Sequence, residues 1–167
     1  INIIEESFMN FAFAFEPEEP GIMRRDPRRT GEGILTSRMK SLIAIIAVVT
    51  GAFLVALYAV LLWLGIQEEK LRTVMFVAVA VDSIFFSFSL KSFKMPLWRI
   101  DMFSNKYLLG ALFLSVLALF AALSWKPLMT LLSLEPLGKE LFVLFIGLGI
   151  INIATIEITK YFVFREE

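Results

Sequence analysis

The sequence predicts an all-α membrane protein, a bundle of four complete transmembrane helices preceded by the cytoplasmic half of another. Three observations carry that prediction. Of the 167 residues 58% are apolar and 19% charged, against roughly 45–50% and about 25% in soluble domains. The charge is crowded at one end, since residues 1–40 hold 13 of the 32 charged side chains and the other 127 residues share 19. The apolar residues also fall in long runs between short polar links, which leaves too little polar surface for a soluble shell.

Composition closes several functional classes. The chain has no cysteine and no histidine, which removes disulfide frameworks, thiol nucleophiles, the usual zinc ligand sets and imidazole bases. A net charge of zero lacks the basic footprint of a nucleic-acid binder. Residue 1 is isoleucine, with neither an initiator Met nor a secretory n-region. The chain is therefore read as a piece of a longer protein.

Residues 1–15 form the first element. Phe11, Phe13 and Phe15 alternate with Ala12 and Ala14, a period that suits a strand as well as a helix. Ahead of them Asn2, Glu5 and Glu6 are spaced i, i+3 and i+4, which on a helix lines three oxygen-bearing side chains along one face. If helical, the segment reads as the inner half of a membrane helix. Residues 16–40 follow with Pro17, Pro20, Pro27, Gly21, Gly31 and Gly33, a composition that holds no regular element and reads as a loop.

The spans come next. Residues 41–67 contain no charge, and about 20 apolar residues at ~1.5 Å rise cross a ~30 Å hydrocarbon core. Spans are placed at 42–66, 73–90, 107–125 and 141–159, the second interrupted by Asp82 and the fourth carrying Glu157 near its end. Twelve lysines and arginines fall in the segment before the first span, the middle link and the tail, against four on the alternate side. The positive-inside rule then puts the N-terminal loop and the C-terminus in the cytoplasm. Trp63, Trp98 and Trp125 lie at span ends or links, where tryptophans anchor at the membrane interface. Glu157 and Lys160, three apart, are read as a structural pair or as side chains reaching the interface.

Asp82 is a charge near the middle of a complete span. An ionisable group at that depth costs about 2.5–3.5 kcal/mol on insertion scales and marks an ion path or an internal pair. The bland reading is a protonated carboxyl bonded to a neighbouring helix through Ser83 or Ser87. Glu5 and Glu6 repel one another in a low-dielectric site unless one holds a proton or a cation lies between them. Their bland reading is an exposed helix start near the positive dipole end. Hard divalent cations take six to eight oxygen ligands, and Asn2, Glu6 and Asp82 are of the right type.

A family resemblance is carried by INIIEESFMNFAFAFEPEEPGIMRRDPRR. It resembles the end of the sixth membrane helix and the following cytoplasmic loop of type-II P-type cation ATPases, the group containing the sarco/endoplasmic reticulum calcium pump. Matching features are Asn2, Glu5 and Glu6, then Phe15-Glu16-Pro17, then Ile22-Met23-Arg24-Arg25-Asp26-Pro27-Arg28. Downstream, Lys94-Met95-Pro96-Leu97-Trp98 and Phe103 to Gly110 are similar to the link between that family's eighth and ninth helices, and 127–161 to its last loop and tenth helix. The resemblance covers the whole chain. It departs from the calcium pumps where Glu5-Glu6-Ser7 replaces Thr-Asp-Gly and where Met9 stands near the place of a proline.

The resemblance implies the C-terminal membrane region of an ATP-driven cation pump. It makes Asn2, Glu6 and Asp82 the candidate cation ligands with Glu5 beside them, Asp82 falling where calcium pumps carry a glutamate in the eighth helix. It makes Met23, Arg24, Arg25, Pro27 and Arg28 part of a coupling loop beneath the phosphorylation domain. The parent is expected to use ATP and magnesium, to move calcium or another cation, and to sit in the cell membrane as a multi-pass protein. Its partners are the lipid bilayer and the pump's remaining helices and cytoplasmic domains. The chain itself holds no Asp-Lys-Thr-Gly phosphorylation motif, so on its own it is not expected to hydrolyse ATP. Two other classes stay open: a stand-alone four-span scaffold or regulatory protein, and a secondary transporter relaying protons or ions through Asp82.

Overall fold

A computed structural model describes residues 2–18, 23, 35–89, 91, 101, 103–138 and 140–164, with only the backbone described at 2–5, 88–89, 140–142, 144 and 164. Among these residues there are six helices and no strand: α1 Asn2–Phe13, α2 Ser37–Trp63, α3 Glu68–Ser89, α4 Lys106–Ser124, α5 Lys126–Leu132 and α6 Glu140–Phe164. The all-α expectation is met: Phe11 and Phe13 of the first segment lie on α1, and Phe15 lies in the turn that follows it. Met9 and Ala12 are its buried residues while Phe8, Phe11 and Phe15 are exposed. That i, i+3 spacing is helical and overrides the period of two.

Helix α2 begins where Thr36 accepts a hydrogen bond from Met39 N at 3.3 Å, a side-chain cap for one of the orphan donors of the first turn. Its 27 residues reach about 40 Å. It ends beside Gly65, whose φ of +69° suits a residue without a Cβ. The chain reverses there and α3 returns against α2. Thr50 keeps its hydroxyl satisfied inside α2 by donating to Ile46 O at 3.0 Å.

Helix α3 is the centre of the bundle, packed against α1, α2, α4 and α6. Val77, Ala78, Ala80 and Val81 of α3 join Leu119 of α4 and Leu148 of α6 in one cluster. Leu42 and Ile46 of α2 meet Ile156 of α6 in a second, and Met9 and Ala12 of α1 meet Leu108 and Ala111 of α4 in a third. The alanines fit a membrane bundle, in which small residues let helices approach and gain packing that lipid would otherwise supply.

Three helical stretches among the described residues are long and apolar enough to cross a membrane: Ser37–Trp63, Lys106–Ser124 and Phe145–Val163. Helix α3, at 22 residues, carries Glu68, Glu69, Lys70 and Arg72 in its first turns and Asp82 further along, and is otherwise apolar or small up to Ser87.

Between α4 and α6 lies α5, a helix of seven residues in the link that joins the last two spans. Trp125 closes α4 and opens α5, Pro127 lies in its first turn, and Ser133 ends it in the left-handed region at φ 53°. The fully buried Thr73 donates to Glu69 O at 2.9 Å and accepts from Glu135 N at 2.8 Å, pinning the segment after α5 to the start of α3. Glu157 and Lys160 do pair, at 3.0 Å, and both are buried rather than reaching for an interface.

Candidate cation site

Asp82 lies in the second half of α3, and its Oδ1 accepts a hydrogen bond from Asn152 Nδ2 of α6. One residue on, Ser83 Oγ donates to Glu6 Oε1 of α1 across 3.5 Å. Glu6, Asp82, Ser83 and Thr50 line a cavity of about 270 Å³ whose other walls are apolar, among them Ile46, Val79 and Phe86. Two carboxylates, two hydroxyls and no basic side chain make this lining an electronegative concavity in a low-dielectric surround. A cation there gains Coulomb energy that water would largely screen.

The sequence-derived candidates divide cleanly. Glu6 and Asp82, 76 positions apart, come to one cavity. Asn2 and Glu5 lie on α1, Asn2 one turn before Glu6, with side chains outside the described residues. Met23 is exposed, and Arg24, Arg25, Pro27 and Arg28 lie outside the described residues. No group of three or more Asp, Glu, His or Cys converges among the described residues. A hard cation here would complete its shell with hydroxyl, amide or carbonyl oxygens, or with ligands from elsewhere.

The partner expected for Asp82 differs from the one found. Ser83 reaches Glu6, and Ser87 turns back to Ser83 O at 3.0 Å within its own helix. Asn152 takes the role instead, and its only sequence signal was to be an amide in a long apolar helix.

Gly149, three residues before Asn152, explains how α6 comes near enough. A Cβ at this position would stand 2.6 Å from the Phe85 ring, inside any permissible contact. Overpacking of this kind costs about 1–3 kcal/mol. Gly149→Ala is therefore expected to lower the thermal midpoint in detergent, and Phe85→Leu in the same chain is expected to restore most of the loss. An unchanged midpoint in the single variant would contradict the close approach.

The far end of α1 is fastened to α4 by Asn105. Its Oδ1 caps α4 by accepting from Leu108 N at 2.9 Å, and its Nδ2 donates to Ala12 O at 2.9 Å and Glu16 Oε2 at 2.8 Å. The other Glu16 oxygen lies 3.4 Å from Lys91 Nζ, whose side chain is 2% exposed. Lys91 also donates to Ser104 Oγ at 2.8 Å and to the Asp101 carbonyl. Phe15 stacks on Tyr107 with centroids 4.2 Å apart. One helix thus carries a cavity-lining carboxylate in its first half and a polar junction at its end.

Residues 1–162 match the family described as cation transporting ATPase, C-terminus. The chain is 26% identical over 175 residues to calcium-transporting ATPase 1 of Bacillus cereus, covering 96% of this chain and 20% of that protein. It is 28% identical over 131 residues to the probable cation-transporting ATPase F of Mycobacterium bovis, covering 78% of this chain and 14% of that protein, and the Mycobacterium tuberculosis protein of the same name matches equally. The chain thus spans a fifth or less of the length of these relatives.

Proposed function

Because the chain belongs to the family of cation-transporting ATPase C-terminal regions, we propose that it is part of the membrane domain of an ATP-driven P-type pump and supplies part of its transported-cation site. The observation that carries this reading is the convergence of Glu6 of α1 and Asp82 of α3 on one cavity. Two carboxylates in such a place repel when both are charged. A cation between them relieves the repulsion, and release toward either side of the membrane follows when the helices change their spacing.

Asn2 and Glu5 are the next candidates for the ligand shell, and the rest comes from helices of the pump outside this chain. Calcium is the first cation to try, since the acidic oxygens suit a hard divalent ion and one relative is a calcium-transporting ATPase by name. ATP and magnesium act on cytoplasmic domains elsewhere in the pump. The loop with Met23, Arg24, Arg25, Pro27 and Arg28 docks beneath the phosphorylation domain, and its mixed charge suits a protein surface. The twelve-to-four distribution of basic residues supports a cytoplasmic loop and C-terminus in a multi-pass protein of the cell membrane, with the lipid bilayer around it.

The test is cation uptake by the full-length pump reconstituted in vesicles, with calcium, manganese, sodium and potassium tried in turn. Uptake of one cation that requires ATP and magnesium is the expected result. Uptake driven by an ion gradient without ATP would replace this reading with a secondary transporter, and no uptake of any cation would leave a scaffold.

A further inference from the structure

Asn152 is 5% exposed in the middle of an otherwise apolar stretch of α6, and only half of its amide is satisfied. Nδ2 donates to Asp82, while Oδ1 is buried with no hydrogen-bond partner among the described residues. Beside it lies a small recess of about 20 Å³, with Asp82, Asn152, Thr50 and Thr155 among its lining residues. A buried water needs at least about 10–15 Å³ and two to four polar partners. The recess has room for one water and not for a hydrated ion. A buried carbonyl oxygen without a donor is costly, and a water donating to Asn152 Oδ1 removes that cost.

The geometry points to Asn152 as a positioning residue for the cation site: its amide fixes the Asp82 carboxylate from the α6 side, and its oxygen holds one buried water between α2, α3 and α6. This rests on the reading of Asp82 as a cation ligand. With one oxygen engaged by Asn152, the carboxylate meets the cation in one orientation and needs no reordering when the ion arrives. Thr50 and Asp82 line both the large cavity and the small one, so the water would adjoin the carboxylate.

The experiment reads the cation concentration for half-maximal phosphorylation of the full-length pump by ATP. Asn152→Leu, of the same branched outline but apolar and bulkier, and Asn152→Ser, smaller and still polar, are each expected to raise it about tenfold, as for one hydrogen bond to a charged group, with the maximal phosphoenzyme level retained. In the Asp82→Asn background either change is expected to add less than about threefold, because coupled residues do not act additively. Effects that multiply in the double variant, or a fall in maximal level without a shift, would reduce Asn152 to a packing role. If Asp82→Asn itself shifts nothing, the site reading fails; if it shifts and Asn152→Leu and Asn152→Ser do not, only the present inference fails. A density map that resolves ordered solvent is expected to show one water beside Asn152 Oδ1, and a dry recess there would remove the water.

Discussion

Asp82→Asn is expected to raise the cation concentration needed for half-maximal phosphorylation of the full-length pump by about a hundredfold, equivalent to roughly 2.7 kcal/mol. The substitution keeps the volume of the side chain, and an amide in that place still offers its oxygen to Asn152 Nδ2. The helix pairing of α3 with α6 therefore survives and the maximal phosphoenzyme level should stay near the parent's. What is lost is one of the two negative charges lining the cavity, in surroundings where charge pairs are weakly screened. A parent-like cation dependence would remove Asp82 from the site.

Asn105→Ala is expected to give the largest loss of stability, about 3 kcal/mol. The helix cap is worth about 1 kcal/mol, and the rest comes from leaving the Ala12 carbonyl and a Glu16 oxygen without the amide that now serves them. Lys91 lies with its side chain 2% exposed and has Glu16 as an ion-pair partner, so a Glu16 released from Asn105 disturbs a second buried charge. The thermal midpoint in detergent should fall by many degrees, and protease should cleave between α1 and α2 at lower concentration. Asn105→Asp keeps the cap acceptor but sets a second carboxylate against Glu16, so it is expected to rescue little. A midpoint unchanged in Asn105→Ala would mean that α1 and α4 are held by the Met9, Ala12, Leu108 and Ala111 contacts alone.

Much of the fold was legible because membrane helices announce themselves by length and apolarity. The charge-free run at 41–67 contains most of α2, and Lys106 and Lys126 bracket α4 closely. Helix α5 was not legible, since seven residues with a proline in the first turn look like the link they follow. The first segment was ambiguous because alternating Phe and Ala serve a strand or a helix equally, and only packing against Leu108 and Ala111 decides. The pairing of Glu157 with Lys160 followed from their spacing, whereas their burial depended on tertiary neighbours.

The site was half legible for a similar reason. A lone carboxylate in an apolar span identifies itself by its cost, so Asp82 stood out. Its partner Asn152 did not, because an amide is cheaper to bury and the pair is 70 positions apart, beyond any helical period. Asn105 was not legible, because its bonds to Ala12 O and to Glu16 join segments about 90 positions apart. What brought Glu6 into the account was its place in the acidic run and the family resemblance, and what joined it to Asp82 was the fold.

The claim at the centre is that Glu6 and Asp82 face one cation. A double-mutant cycle on the full-length pump measures it, using Glu6→Gln, Asp82→Asn and the pair together, with half-maximal cation concentration as the readout. Each single change is expected to raise that concentration by about tenfold or more, and the double to fall well short of the product of the two, since both carboxylates serve the same ion. Full multiplicativity would place them at separate sites, and cation dependence unchanged in both single variants would contradict the account outright.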